Sequence, residues 1–129
     1  MTTILLVDDS PTIRRMSRAA LSSMPGSAFV EAGSGLQAIE TLAVTSVQLV
    51  VLDLNMPDMH GLDVLRFVRS HQHYRELPVL VLTTRGDERS RDAALSAGAS
   101  AYMTKPFSPT ALASRVAELL DAASGSAQR

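Results

Sequence analysis

Three aspartates carry the groups of this chain best suited to chemistry. Asp8 and Asp9 follow the apolar run Ile4–Val7, and Asp53 follows a second run, Leu49–Leu52. Carboxylates beside a hydrophobic core are costly unless a cation neutralises them. Oxygen-only ligand sets suit Mg²⁺, so three carboxylates gathered in one place predict a magnesium site.

The same site is suited to phosphoryl transfer. A bound divalent ion would hold phosphoryl oxygens while one carboxylate attacks phosphorus to form an acyl phosphate. Lys105 follows a further apolar run and can bind a phosphate oxygen as a point charge. Thr83, at the end of another run, offers a hydroxyl donor.

Alternating patterns along the chain predict how these residues meet. Short apolar runs typical of buried strands are each followed by a segment with helical spacing: Ile4–Val7, Ala28–Val30, Leu49–Leu52, Val79–Leu82 and Ser100–Met103. Strict alternation predicts an α/β fold, with a parallel sheet covered by helices on both sides. Sites in such sheets form beyond the carboxyl ends of the strands, where the three aspartates fall.

The predicted helices have recognisable starts and apolar faces. The first should start near Pro11 with Ser10 as N-cap, the second should be capped near Ser34, the third should follow Gly61, and the fourth should start near Asp87 and end at Gly98. The faces expected to point inward include Ile13 and Met16, Leu36 and Ile39, Leu65 and Val68, Ala93 and Ala94, and Leu112 and Val116. The arginines expected to face outward are Arg14, Arg15, Arg18, Arg66 and Arg69. The alternative for the first three is contact with a phosphodonor protein.

Composition excludes several classes of protein. Apolar residues make up 46% of the chain, which argues against disorder, and a net charge of −1 gives no electrostatic basis for binding nucleic acid or anionic lipid. No cysteine is present, and no apolar run approaches the roughly 20 residues that span a bilayer. Since no basic signal-peptide region is evident, we expect a cytoplasmic domain over residues 1–122, followed by a flexible tail or linker stub at 123–129.

In their order and spacing, the motifs resemble the receiver domain of two-component response regulators, of the single-domain chemotaxis (CheY-like) kind. The matching segments are Leu5–Ser10, Leu52–Pro57, Gly61–Leu62, Val81–Thr84 and Lys105–Phe107. From Asp9 to Asp53 there are 44 residues, then 30 to Thr83 and 22 to Lys105. The resemblance implies a flavodoxin-like doubly wound sheet of five strands in the order 2-1-3-4-5, flanked by five helices.

The resemblance also implies the chemistry of the site. Asp53 would accept a phosphoryl group from a sensor histidine kinase or a histidine phosphotransfer domain. Asp8, Asp9 and Asp53 would bind Mg²⁺ together with the backbone carbonyl of Asn55. Lys105 would pair with the phosphate.

Further residues would convert phosphorylation into a signal. Thr83 and Tyr102 would switch a surface formed by the fourth helix, fifth strand and fifth helix, which would bind a downstream protein target. The Lys105–Pro106 peptide bond would be cis. Asn55 and Arg85 flank the phosphoryl position and would tune the rate of its loss.

Other functions stay open at this point. A phosphatase of the haloacid-dehalogenase type needs a second aspartate two residues after the first, but that position holds Asn55. A flavodoxin-like cofactor binder is disfavoured because Asp8 and Asp9 would repel phosphate. The chain could also be a receiver excised from a hybrid kinase or a larger regulator, or a docking module independent of phosphorylation. We expect no enzyme activity beyond self-phosphotransfer and slow autodephosphorylation.

The charges alone allow one prediction. Without Mg²⁺, the carboxylates of Asp8, Asp9 and Asp53 repel one another, which should raise the pKa of at least one. The substitution Asp53→Ala should therefore raise stability in chelator and weaken the stabilising effect of Mg²⁺.

Overall fold

The computed structural model describes residues 2–56, 58–84 and 88–127, the last four by backbone alone. Strands and helices alternate along these residues, as the apolar pattern predicts. In chain order they are β1 (Thr2–Val7), α1 (Pro11–Leu21), β2 (Ser27–Ala32), α2 (Gly35–Val44), β3 (Leu49–Asp53), α3 (Gly61–Ser70), β4 (Val79–Thr83), α4 (Glu88–Ser96), β5 (Ala101–Thr104) and α5 (Pro109–Ala127).

The strands form one parallel sheet in the order β2-β1-β3-β4-β5. This order confirms the flavodoxin-like doubly wound topology. The chain moves from β1 outward to β2 and then returns across β1 to β3, so the order reverses between β1 and β3. The register pairs Val7 with Leu52, which brings the residues after β1 and the end of β3 to the same edge of the sheet.

The sheet is buried on both faces because side chains alternate along each strand. Leu5, Val50 and Val81 point toward a cluster that contains residues of α2, α3 and α4. Leu6 and Leu80 point toward the opposite cluster, which contains residues of α1 and α5. Burying each such side chain contributes roughly 1.5–3 kcal/mol, so the strands form a rigid base for the loops at their ends.

On three helices, one residue of the predicted apolar face is exposed. Met16 and Leu36 are 44% and 57% exposed, whereas Ser17 on α1 and Ala38 on α2 are buried. The predicted faces are therefore wrong at Met16 and Leu36, and also at Ala93 of α4, which is exposed, whereas Ile13 of α1 packs against the core as predicted. Small side chains such as Ser17 and Ala38 give little hydrophobic signal, but they allow a helix to lie close to the sheet.

Arg69 is a structural residue rather than the outward-facing one that was predicted. Its guanidinium donates to the main-chain carbonyl oxygens of Leu77 (2.7 Å) and Gly98 (2.8 Å) and to the Oγ of Ser100 (3.2 Å). Gly98 ends α4 as predicted, with a φ of +106° that favours glycine. Arg69 thereby ties the end of α3 to the segments that precede β4 and β5.

The last helix is longer than the sequence suggests. α5 continues to Ala127, whereas a tail was predicted from residue 123; Ala122 and Ala123 have high helix propensity and favour this continuation. The predicted start of the fourth helix at Asp87 lies outside the described residues. Across the described ranges, no helix is both long enough and apolar enough to cross a membrane.

Candidate functional site

The three aspartates lie together at the carboxyl edge of the sheet. Asp8 and Asp9 leave the end of β1, Asp53 ends β3, and one carboxylate oxygen of each lies within 4.8 Å of the others. Asp8 and Asp53 are 4% and 2% exposed, whereas Asp9 is open to solvent. This oxygen-only donor set, accessible from one side, fits a hard divalent cation such as Mg²⁺.

Lys105 reaches into this cluster from the loop after β5. Its Nζ lies 2.7 Å from Oδ2 of Asp8 and 3.1 Å from Oδ1 of Asp53. Its main-chain N–H donates to the carbonyl of Thr83 at 2.8 Å, and the Lys105–Pro106 peptide bond is cis. Lys105 is also the only lysine in the chain, and the other eleven positively charged side chains are arginines. A single lysine among so many arginines indicates that this position requires an ammonium group, a signal that is independent of motif spacing.

The electrostatics of the cluster leave it short of positive charge. Burial raises the pKa of the Asp53 carboxyl, the charge of Asp8 raises it further, and Lys105 offsets part of the effect. The predicted repulsion therefore contributes, but burial is the larger cause. Burial lowers the pKa of Lys105, yet its hydrogen bonds and charge interactions with both carboxylates outweigh this and leave it raised. Three carboxylates and one ammonium carry a net charge of −2 when ionised, which a divalent cation would balance.

The loop between β3 and α3 turns back toward the cluster. The N–H of Asn55 donates to Oδ1 of Asp53 at 3.2 Å, which keeps Asn55 beside the site. Gly61 begins α3 directly against the end of β3, and its N–H donates to the carbonyl of Leu54 at 2.9 Å. A side-chain carbon on Gly61 would lie 2.5 Å from the main-chain oxygen of Asp53, so only glycine allows this approach.

Asp58 connects the β3–α3 loop to α2 by hydrogen bonds. Its carboxylate accepts hydrogen bonds from the N–H groups of Gly35 (3.1 Å) and Leu36 (3.2 Å) at the start of α2. The hydrogen bond from Leu36, assisted by that from Gly35, lowers the pKa of Asp58. The sequence does not indicate this contact, because Asp58 lies next to the start of α3 and far along the chain from α2.

The predicted switch residues lie on the last two strands of the sheet, β4 and β5. Thr83 ends β4 and is buried, and Tyr102 is a half-buried residue of β5 that pairs with Val81. A cavity of about 440 Å³ adjoins Thr83 and Asn55, between the β3–α3 loop and α4. Arg85, the other predicted tuning residue, lies outside the described residues.

Arg14 is a neighbour of the site that the sequence does not reveal. It was expected on a solvated face, but its side chain is only 18% exposed. Nη1 donates to the main-chain carbonyl of Asp8, and Nε donates to Oε1 of Glu31 at 2.9 Å. Arg18 also contacts Glu31, at 3.6 Å, whereas Arg15 is exposed as predicted. Arg14 therefore connects β2 to the acidic cluster.

This sheet order, with an acidic cluster, a lysine and a hydroxyl residue at its carboxyl edge, defines a receiver domain of the kind used in two-component signalling. The model of the response regulator receiver domain family matches residues 4–117, and the chain belongs to that family.

Known proteins place the chain among CheY-like receivers. The chemotaxis protein CheY1 of Helicobacter pylori is 37% identical over 118 residues, which cover 91% of this chain and 95% of that protein. The receiver domain of a Syntrophus aciditrophicus histidine kinase has a TM-score of 0.86 at 32% identity and covers 95% of this chain and 92% of its own. CheY4 of Vibrio cholerae has a TM-score of 0.85 at 29% identity, with coverages of 92% and 98%.

Proposed function

We propose that this receiver accepts a phosphoryl group on Asp53 from a phosphohistidine of a sensor histidine kinase or a histidine phosphotransfer domain. The observation that carries the proposal is the environment of Asp53. Its carboxylate is buried, clusters with Asp8 and Asp9, and lies 3.1 Å from the Lys105 ammonium. Like charges at a buried position lower the stability of the fold. Such a cluster therefore indicates a binding function rather than a contribution to packing.

The proposed step is a single displacement at phosphorus. A carboxylate oxygen of Asp53 forms a bond to phosphorus, the P–N bond of the phosphohistidine breaks, and its electron pair returns to the imidazole nitrogen. Lys105 would hold one of the phosphoryl oxygens, on which charge accumulates during transfer. Asp8, Asp9, Asp53 and the carbonyl of Asn55 would hold Mg²⁺, which when bound neutralises charge on the phosphoryl oxygens.

The protein would act as a switch and not as a turnover enzyme. Asn55 stands two residues after Asp53, where an aspartate-based phosphatase would need a second carboxyl group as acid and base. The reactions expected are therefore self-phosphotransfer and slow hydrolysis of the acyl phosphate. Asn55, which is exposed beside the site, would influence the access of water, and the same role for Arg85 stays a prediction.

Phosphorylation would act on the surface formed by α4, β5 and α5. The phosphoryl group, which carries about −1.5 to −2 charges, replaces the single charge of the Asp53 carboxylate close to Thr83, and we expect the Thr83 hydroxyl to turn toward it and Tyr102 to repack. The cavity of about 440 Å³ beside Thr83 provides room for such a change. In α4 only Ala94 is fully buried, so moving this helix disrupts little packing. The altered surface would bind a downstream protein target.

Intact-mass spectrometry after incubation with Mg²⁺ and acetyl phosphate tests the proposal. The wild-type protein should gain one phosphate, the variant D53N should gain none, and D63N, which alters an exposed aspartate of α3, should behave like wild type. If the wild-type protein gains no phosphate and also fails to bind beryllofluoride, the chain is a docking module that does not depend on phosphorylation.

A further inference from the structure

We propose that Arg14 is a positioning residue of the acidic site, which fixes the peptide unit between Asp8 and Asp9 and thereby increases the affinity for Mg²⁺. This inference rests on the proposed function, because it concerns the cation affinity of the same site.

Of the three carboxylates, that of Asp9 has the fewest hydrogen bonds and ion pairs to hold it in place. Asp8 accepts hydrogen bonds from the N–H of Ser10 at 2.9 Å and from Lys105, and Asp53 also contacts Lys105. Among the residues that the structure describes, none donates a hydrogen bond to the exposed carboxylate of Asp9. The position of this carboxylate is therefore set by the backbone that carries it.

Arg14 holds that backbone from the side of α1. The N–H of Asp8 donates to the carbonyl of Ala32 at 3.1 Å, which is the last main-chain link between the end of β1 and β2. The next group along the chain is the carbonyl of Asp8, and it accepts the hydrogen bond from Nη1 of Arg14. Since this carbonyl belongs to the peptide unit that leads into Asp9, the hydrogen bond restricts how that peptide unit can rotate.

The guanidinium of Arg14 is itself held in place. Its Nε donates to Glu31 of β2 at 2.9 Å. A planar guanidinium can serve the carboxylate and the carbonyl at once with fixed geometry, which the single ammonium of a lysine cannot do in the same way. Glu31 also neutralises the positive charge, which would otherwise disfavour a cation in the neighbouring site.

Positioning and charge predict opposite results when Arg14 is removed. Loss of a positive charge near the acidic cluster, taken alone, would tighten Mg²⁺ binding. Loss of the hydrogen bond to Asp8 would weaken it, because groups that orient metal ligands typically contribute about 10-fold or more to affinity. The sign of the change therefore separates the two effects.

Calorimetric titration with Mg²⁺ of the wild-type protein and of R14Q, R14K and R18Q, at low and high ionic strength, tests the inference. R14Q should bind about 10-fold more weakly than wild type, and the ratio should persist at high salt, where charge effects are screened. R14K should also bind more weakly despite its unchanged charge. R18Q, which loses contacts with Glu31 and β2 but none with Asp8, should stay within about two-fold of wild type.

Each outcome has a distinct meaning. R14Q binding as tightly as wild type, or more tightly, would overturn the inference while leaving the proposed function intact. An equal loss in R18Q would assign the effect to the packing of α1 on β2 and would also overturn it. If R14Q does not fold, R14K decides, and wild-type affinity in R14K contradicts the inference. Absence of Mg²⁺ binding by the wild-type protein would instead contradict the proposed function.

Discussion

Lys105 and Asp8 form the shorter of the two ion pairs in the site, with 2.7 Å between Nζ and Oδ2, against 3.1 Å from the same ammonium to Asp53. Asp8 therefore keeps the lysine in place independently of Asp53. A chemical change at Asp53 can alter its interactions without releasing Lys105 from the site. This arrangement suits a carboxylate that is modified and restored while its surroundings stay assembled.

Replacing Lys105 by methionine should destabilise the protein in the presence of EDTA. The variant K105M keeps most of the side-chain volume but leaves two buried carboxylates without a cation, which costs about 3 kcal/mol at neutral pH. Chemical unfolding measures this loss, and added Mg²⁺ should recover more stability in K105M than in wild type. A loss below about 1 kcal/mol, the range of an exposed ion pair, would show that Lys105 does not balance these carboxylates.

The substitution Asp53→Asn should stabilise the protein in EDTA at neutral pH. Because the pKa of Asp53 is raised by burial and by Asp8, the folded state disfavours its ionised form. The cost of that charge is present at neutral pH, diminishes as the pH falls through the raised pKa, and is absent below the unfolded value of about 4. D53N should therefore be more stable than wild type at pH 7, and the gain should vanish near pH 4. A lower melting temperature for D53N than for wild type at pH 7 contradicts this reading.

Replacing Arg69 of α3 should lower the stability of the protein far more than replacing Arg66 of the same helix. Arg69 donates hydrogen bonds to several main-chain carbonyls, whereas Arg66 forms only an exposed pair with Asp63 among the described residues. R69Q should lose about 2–3 kcal/mol of stability, and R66Q less than about 0.5 kcal/mol. Neither should change the affinity for Mg²⁺, since both residues lie away from the acidic cluster. Equal unfolding midpoints for the two variants would argue against a structural role of Arg69.

Adding a methyl group at Gly61 should strain the site directly. The new carbon would lie 2.5 Å from the carbonyl oxygen of Asp53 and 2.6 Å from Cα of Leu54, both of which are backbone atoms. Either β3 or α3 must then shift, so we expect G61A to lose about 1–3 kcal/mol and to bind Mg²⁺ more weakly. G33A is the matched control, because its nearest neighbour, the side chain of Arg14, lies at 3.4 Å. Similar losses in both variants would rule out a specific role for Gly61.

The strands and the acidic cluster could be predicted from the sequence because their signals are local. A short apolar run followed by Asp8 or Asp53 indicates both a buried strand and its polar end, and alternation with helices then determines the edge at which these ends meet. The positions of Asp9, Thr83 and Lys105 follow from the same pattern.

The supporting residues could not be predicted, because their partners are set by tertiary structure. Arg14 meets Glu31 from 17 residues away, and Arg69 meets Gly98 from 29 residues away. Neither pair has a helical or strand spacing that would indicate contact. In each case an arginine that looks solvent-facing in its own helix reaches main-chain carbonyls of another segment.

Chemical mapping of the modified residue tests the central claim most directly. Borohydride reduces an acyl phosphate to an alcohol, so an aspartyl phosphate becomes homoserine, which peptide mass spectrometry can locate. After incubation with Mg²⁺ and acetyl phosphate, we predict homoserine at position 53 alone, and none when EDTA replaces Mg²⁺. Homoserine at position 8 or 9, or its absence from position 53 in a protein that has gained phosphate, would contradict the assignment of Asp53 as the phosphoacceptor.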